Sequence, residues 1–175
     1  MMMRIFTAFA IVFCCFLAVQ PAAYGIDTEL TRRTLSGLQG VSVMVEELQP
    51  NTQRYAQRFN LTKEQLQKEV EQRLTKAGIK VIAGDAWLRT PGRPVLYINI
   101  NTHEYEKYWY AFNIAVYLGQ LVRLEADPEL KTLAPTWEIS MTGVANIGTL
   151  NTIRSNIEAL VDRFIQAYQS ANPKR

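Results

Sequence analysis

Between Val95 and Glu125 the chain passes twice through apolar–polar alternation, a pattern few folds accommodate. In Val95–Thr102, Leu96, Ile98 and Ile100 alternate with Tyr97, Asn99 and Asn101. In Tyr110–Glu125, Phe112, Ile114, Val116 and Leu118 alternate with Asn113, Ala115 and Tyr117. Successive side chains of a strand point to opposite faces, so each run has one apolar and one polar face. That is the signature of an antiparallel sheet covered on one side. His103–Trp109 between the runs is short enough for a hairpin connection. Gly119 marks a candidate bulge, and Asp127-Pro128 ends the second strand. Thr136–Val144 reads as another strand, with Trp137, Ile139 and Met141 on one face.

The apolar sheet face needs a cover, and two helices supply it. Thr62 and Gln65 form a capping-box pair, with Leu61 and Leu66 placed as a hydrophobic staple. Leu66, Val70, Leu74 and Ala77 follow as one stripe, ended by Gly78 in the left-handed conformation. Glu64–Lys68 and Glu69–Arg73 are favourable i,i+4 pairs. The second helix, capped near Thr149 or Asn151, carries Ile153, Ile157, Leu160, Val161, Phe164 and Tyr168. Upstream, Val41, Val43 and Val45 give a strand ending at Pro50, and Ile79–Ala83 a short apolar one, so strand–helix–strand predicts a parallel pair. Thr28–Gln39 fits either a short helix or an irregular lead-in, and Asn51–Asn60 a loop with a brief helical turn. Thr90-Pro91-Gly92-Arg93-Pro94 is turn chemistry. The expected order is β-α-β-β-β-β-α. It describes an α+β two-layer sandwich, a mixed but mostly antiparallel sheet with two helices on one face.

Residues 1–25 stand apart from this domain. Arg4, the apolar run Ile5–Val19, and Ala23 and Gly25 at the −3 and −1 positions of a cleavage before Ile26 are the three parts of a signal peptide. The alternative, an uncleaved anchor, falls short of the roughly 20 residues that a membrane span needs. The expected organisation is therefore a signal peptide, 1–25, and a single α/β domain, 26–175, in a periplasmic or secreted protein. Both cysteines, Cys14 and Cys15, lie in the first segment. The expected mature chain has no disulfide, thiolate nucleophile or cysteine-ligated metal. The 19 Lys+Arg and 16 Asp+Glu are interspersed, so no basic stripe suggests nucleic acid. Membrane contact is expected only through the transient signal peptide.

No catalytic constellation emerges. His103, beside Glu104 and Glu106, is the only histidine, and neighbours on an extended hairpin point apart, so no metal site is expected. A serine triad would also need His103, and no serine lies in a Gly-x-Ser-x-Gly turn. Glu46 and Glu47 are adjacent on a strand and face opposite sides, while Asp85 and Glu138 belong to separate elements; solvated or ion-paired roles suit all four. Gly37-Leu38-Gln39-Gly40 precedes a strand, which is the wrong context for a phosphate loop. Asn60-Leu61-Thr62 matches a glycosylation sequon, but the threonine serves as a helix cap. No enzyme activity and no cofactor are expected.

Two features point to binding. The polar sheet face carries Tyr97, Asn99, Asn101, Asn113 and Tyr117, with Glu138 and Ser140. The hairpin carries Tyr105, Tyr108, Trp109 and Tyr110, interleaved with Glu106 and Lys107. Aromatic side chains with one polar end suit interfaces and sugar stacking, although a solvated face and aromatics folded over a sheet edge explain the same residues. The expected function is a non-enzymatic exported accessory or interaction domain of the envelope, with a protein partner or itself as ligand. The alternative is a glycan or cell-wall binding module.

The segments Thr34–Val43, Leu61–Leu66 and Arg73–Ile79 resemble a small uncharacterised family of secreted bacterial proteins, and the likeness runs to the last helix. It implies export and carries no activity with it. At the level of fold the order is similar to periplasmic α/β domains such as the curli-secretion lipoproteins, the amino-terminal domain of the Tol translocation protein, and lipoprotein activators of peptidoglycan synthases. Such domains act by contacting proteins. The chain departs from the lipoprotein members in lacking a lipid-accepting cysteine in its usual context: Phe13 precedes Cys14.

Overall fold

The computed structural model describes residues 27–173, so the expected signal peptide lies outside the described residues. Among the latter, no helix is long and apolar enough to cross a membrane. The chain forms α1 (Glu29–Arg33), β1 (Ser42–Val45), α2 (Pro50–Ala56) running into a 3-10 turn (Gln57–Phe59), and α3 (Lys63–Lys76). There follow α4 (Ala86–Arg89), β2 (Val95–Glu106), β3 (Trp109–Arg123), β4 (Lys131–Asn146) and α5 (Asn151–Ala171). The sheet order is β1-β2-β3-β4, with β1 parallel to β2 and the rest antiparallel. The expected α+β class is the observed one.

The alternating runs divide as their pattern dictates. Leu96, Ile98, Ile100, Phe112, Ile114 and Val116 are at most 3% exposed, and α3 packs on β1 while α5 packs on β3 and β4. Trp137, Tyr110 and Phe164 are the largest fully buried side chains, and Trp137 and Phe164 meet edge-on at 5.4 Å. Gly119 sits at the expected bulge: Leu118 pairs with Trp137 but Gly119 with Pro135, so Thr136 is the extra residue. In the Thr90–Arg93 turn, Arg93 N–H donates to the Thr90 carbonyl and Gly92 has φ 75°, a conformation that costs a glycine little.

Five sequence expectations need correction. Ile79–Ala83 makes a single parallel bridge, Val81 to Val41, and β1 takes β2 as its parallel partner, so the sheet has four strands. The segment is apolar because Ile79 and Ile82 are buried, and burial alone does not distinguish a strand from packed coil. The hairpin loop is shorter than expected. β2 and β3 run to Glu106 and Trp109 around Lys107 and Tyr108, and Tyr108 takes φ 71°. Asn51–Asn60 is mostly helical, because Pro50 presets the first turn of α2. Only half of the expected capping box at α3 forms. Thr62 accepts from Gln65 N–H, but the Gln65 amide donates to Glu69 at 2.6 Å. The expected Glu69–Arg73 pair is replaced by ion pairs between helices: Glu69 with Arg154 at 3.2 Å, and Arg73 with Glu158 at 3.0 Å and Asp162 at 3.2 Å. Those pairs tie α3 to α5 over the sheet.

Candidate functional site

No described helix packs on the second face of the sheet. The register sets its residues in rows. Met44, Tyr97, Tyr117 and Glu138 form one row; Asn99, Ala115 and Ser140 the next, with Glu46 following Val45 at its β1 end; and Asn101, Asn113 and Thr142 the third. His103, Ala111 and Val144 follow, then Trp109 and Asn146. Five of the expected residues, Tyr97, Asn99, Asn101, Asn113 and Tyr117, therefore share one surface.

Two local arrangements organise it. The Tyr97 and Tyr117 rings stack across the strands, with centroids 5.0 Å apart and planes 19° from parallel. Burial pushes both phenols above their usual range; Glu46 adds to the effect at Tyr97, and Tyr97, Glu46 and Glu138 add to it at Tyr117. Both hydroxyls thus remain protonated and able to donate at neutral pH. Beside them the amides form a one-way chain of donors. The Thr102 hydroxyl donates to Gln49 Oε1 at 2.8 Å, and Gln49 Nε2 donates to Asn101 Oδ1 at 3.3 Å. Asn101 donates to Asn99, and Asn99 to the Glu46 carboxylate. Gln49 Oε1 also accepts the Thr102 main-chain N–H at 2.9 Å, so its side chain does for β2 what a longer β1 would have done. Asn113 Nδ2 donates to the Thr142 hydroxyl at 3.2 Å. The amides hydrogen-bond to one another in a connected chain, which favours a pre-organised surface.

The hairpin aromatics do not join this patch. Tyr110 is fully buried and its hydroxyl donates to the Asn51 carbonyl at 3.3 Å. Tyr108 meets Tyr55 of α2 edge-on at 6.3 Å, under Lys107. Trp109, 41% exposed, lies on the outer face, but eight residues along β3 separate it from Tyr117, about 27 Å. The expected binding set thus falls into a tyrosine end, an amide centre and a separate aromatic tip. Met44, Glu46, Gln49 and Thr142 were not anticipated. The inward Val43 and Val45 imply an outward Met44, but only the parallel β1–β2 pairing shows which strand Met44 flanks.

The surface offers no paired acids. Glu46, beside β1, and Glu138, on β4, lie three interstrand spacings or about 14 Å apart at the main chain. His103 lies within β2, and among the described residues no group of three His, Cys, Asp or Glu could hold a metal ion. Away from the sheet face, a cavity of about 650 Å³ opens beside α1, lined by Asp27, Glu29, Arg32, Arg33 and Ser170 among others. Its charges are matched internally. Asp27 holds Arg32 through bonds of 2.6 and 2.8 Å, and Glu29 pairs with Arg33 at 3.3 Å. No protein-family model matches this chain, and no curated protein matches it.

Proposed function

We propose that this protein is an exported, non-enzymatic accessory domain of the cell envelope that binds a protein partner through its outer sheet face. The observation that carries this reading is the stacked Tyr97–Tyr117 pair. It is flanked by the half-exposed Met44 and held beside amides that already hydrogen-bond to one another. Tyrosine and methionine are enriched at protein interfaces, and tyrosine brings a large contact area with few rotatable bonds. A pre-organised surface also loses little entropy on binding. The glycan reading draws less support, because a sugar stacks on an open ring face and each of these rings has one face covered by the other. In an envelope extract, the Tyr97→Ala/Tyr117→Ala double variant is expected to lose a co-purifying protein that the Lys68→Ala control, altered on the far side of α3, retains. Equal recovery with both variants would refute the reading.

A further inference from the structure

The apolar part of the outer face does not end at the stacked tyrosines. Val95 begins β2 opposite Gly119 and lies, like Tyr97, on the outer side. A methyl group on Gly119 would come within 3.1 Å of Val95 Cγ1 and 3.8 Å of Leu133 Cδ2, so both side chains lean over that glycine. Leu133 pairs with Leu121 and Lys131 with Arg123, two residues further along each strand, which puts all four on the same face. Gln120 turns to the helix side instead and donates to the Thr34 carbonyl at 3.0 Å. The face therefore continues from the tyrosine row, which Glu138 closes on β4, through two uncharged rows to Arg123 and Lys131.

Because β2 starts only at Val95, β3 and β4 run on beyond Gly119 as a two-stranded ribbon, with Leu133 half-exposed on it. Such a ribbon is marginal in water on its own. We propose that this tyrosine–leucine face packs against the same face of a second copy, about a two-fold axis that crosses the strands between the Gly119 and Leu121 rows. The inference rests on the outer-face reading above and names one partner, the chain itself.

Charge selects this partner. An axis lying in the interface and perpendicular to the strands reverses the order of the rows and keeps each strand over its own copy. Glu138 then meets Lys131 of the second copy, since both are on β4. Tyr117 meets Arg123 of the second copy, since both are on β3, and a guanidinium suits an aromatic face. Each contact occurs twice. None of Glu138, Arg123 and Lys131 belongs to an ion pair among the described residues, and Arg123 donates to the Pro128 carbonyl of its own turn at 3.0 Å. The acids of that turn, Glu125, Asp127 and Glu129, fall opposite the amide centre. In the middle rows, Leu121 and Leu133 of one copy cover Val95 and Pro135 of the other. The remaining face of each sheet is taken by α3 and α5, so the pair closes. A contact about 20 Å long is below the standard interface and gives a weak dimer.

The test is sedimentation equilibrium of the protein purified in its cell-processed form, at loadings from about 1 µM to about 1 mM, the range of weak association. The average mass should rise toward twice the monomer value. Glu138→Lys and Lys131→Glu should each weaken the dimer about tenfold, because each sets like charges against each other in both contacts. Mixing the two variants, or making both changes in one chain, should restore the dimer, since every contact is then again opposite in sign. Arg123→Glu provides a second block should either variant fail to fold. A wild-type chain that stays monomeric at the highest loading overturns the proposal, as does a dimer that ignores the single changes or that mixing does not restore. Those results bear on the second copy alone: a co-purifying protein lost with the Tyr97→Ala/Tyr117→Ala variant would then assign the outer face to a different protein.

Discussion

Tyr97 and Tyr117 stand directly opposite each other in the β2–β3 ladder, and their rings stack at 5.0 Å on the face that no described helix covers. The contribution of this pair to stability is of the order of any aromatic cross-strand contact, about 0.5–1.5 kcal/mol. In a double-mutant cycle by urea denaturation, Tyr97→Ala and Tyr117→Ala should show a coupling of that size. A coupling near zero would mean that the rings do not pack together in solution.

Asp27 fastens α1 to the far side of the core. Its buried carboxylate accepts from Arg32 and from the indole N–H of Trp137 at 2.9 Å, and lies 3.6 Å from Arg163. The hydrogen bond from Arg32 is the largest cause of a carboxyl held below its usual range, against the opposing effect of burial. Asp27→Asn should lower stability at neutral pH by about 2–4 kcal/mol, the usual loss for a buried charged hydrogen-bond partner. A lowered folded-state pKa stabilises fully above the unfolded value, near 3.9, and the gain disappears as pH falls through the folded value. The melting-temperature deficit of the variant should therefore be largest at pH 7 and shrink below about pH 4. A deficit independent of pH would contradict the ion-pair assignment.

At Gly143 the inner face has no room for a side chain, because a methyl group there would overlap the ring tip of Phe112. Gly143→Ala should cost about 1–3 kcal/mol through overpacking, and the additional Phe112→Leu change should recover part of it. Thermal melts of the three variants decide the point.

Arg154 anchors the turn between the 3-10 segment and α3. Nη2 donates to the carbonyls of Phe59 and Asn60, at 3.1 and 2.7 Å, while Nε pairs with Glu69. Arg154→Met keeps much of the stem and removes the fork, and should destabilise by about 1.5–3 kcal/mol. Hydrogen exchange of the 57–62 amides should accelerate more than that of β3. Uniform acceleration would point to a global effect instead.

The sheet was legible in the sequence because β2 and β3 each keep one period through their paired core, so Leu96, Ile98, Ile100, Phe112, Ile114 and Val116 were assigned inward from alternation alone, while the inward Tyr110 was read as part of the hairpin tip. Ile79–Ala83 was misread because a buried apolar run of five residues has the same composition whether it joins a ladder or only covers one. The outer face was legible residue by residue but not as a site. Alternation placed Tyr97 and Tyr117 on one side, yet their contact depends on a register fixed across the hairpin. The amide chain through Gln49 depends on where β1 stops. The aromatic tip divided for a similar reason: alternation carries Tyr110 inward and Trp109 outward, while Tyr108, at the turn, falls against Tyr55.

The most direct test of the outer-face account is in-cell photo-crosslinking, with the probe at Tyr97 or Tyr117 and a control at Lys68. The account predicts a discrete crosslinked species, the same from both tyrosine positions and absent from the control, with one partner identified by mass spectrometry. A folded, exported protein that gives no species from either tyrosine would contradict the account.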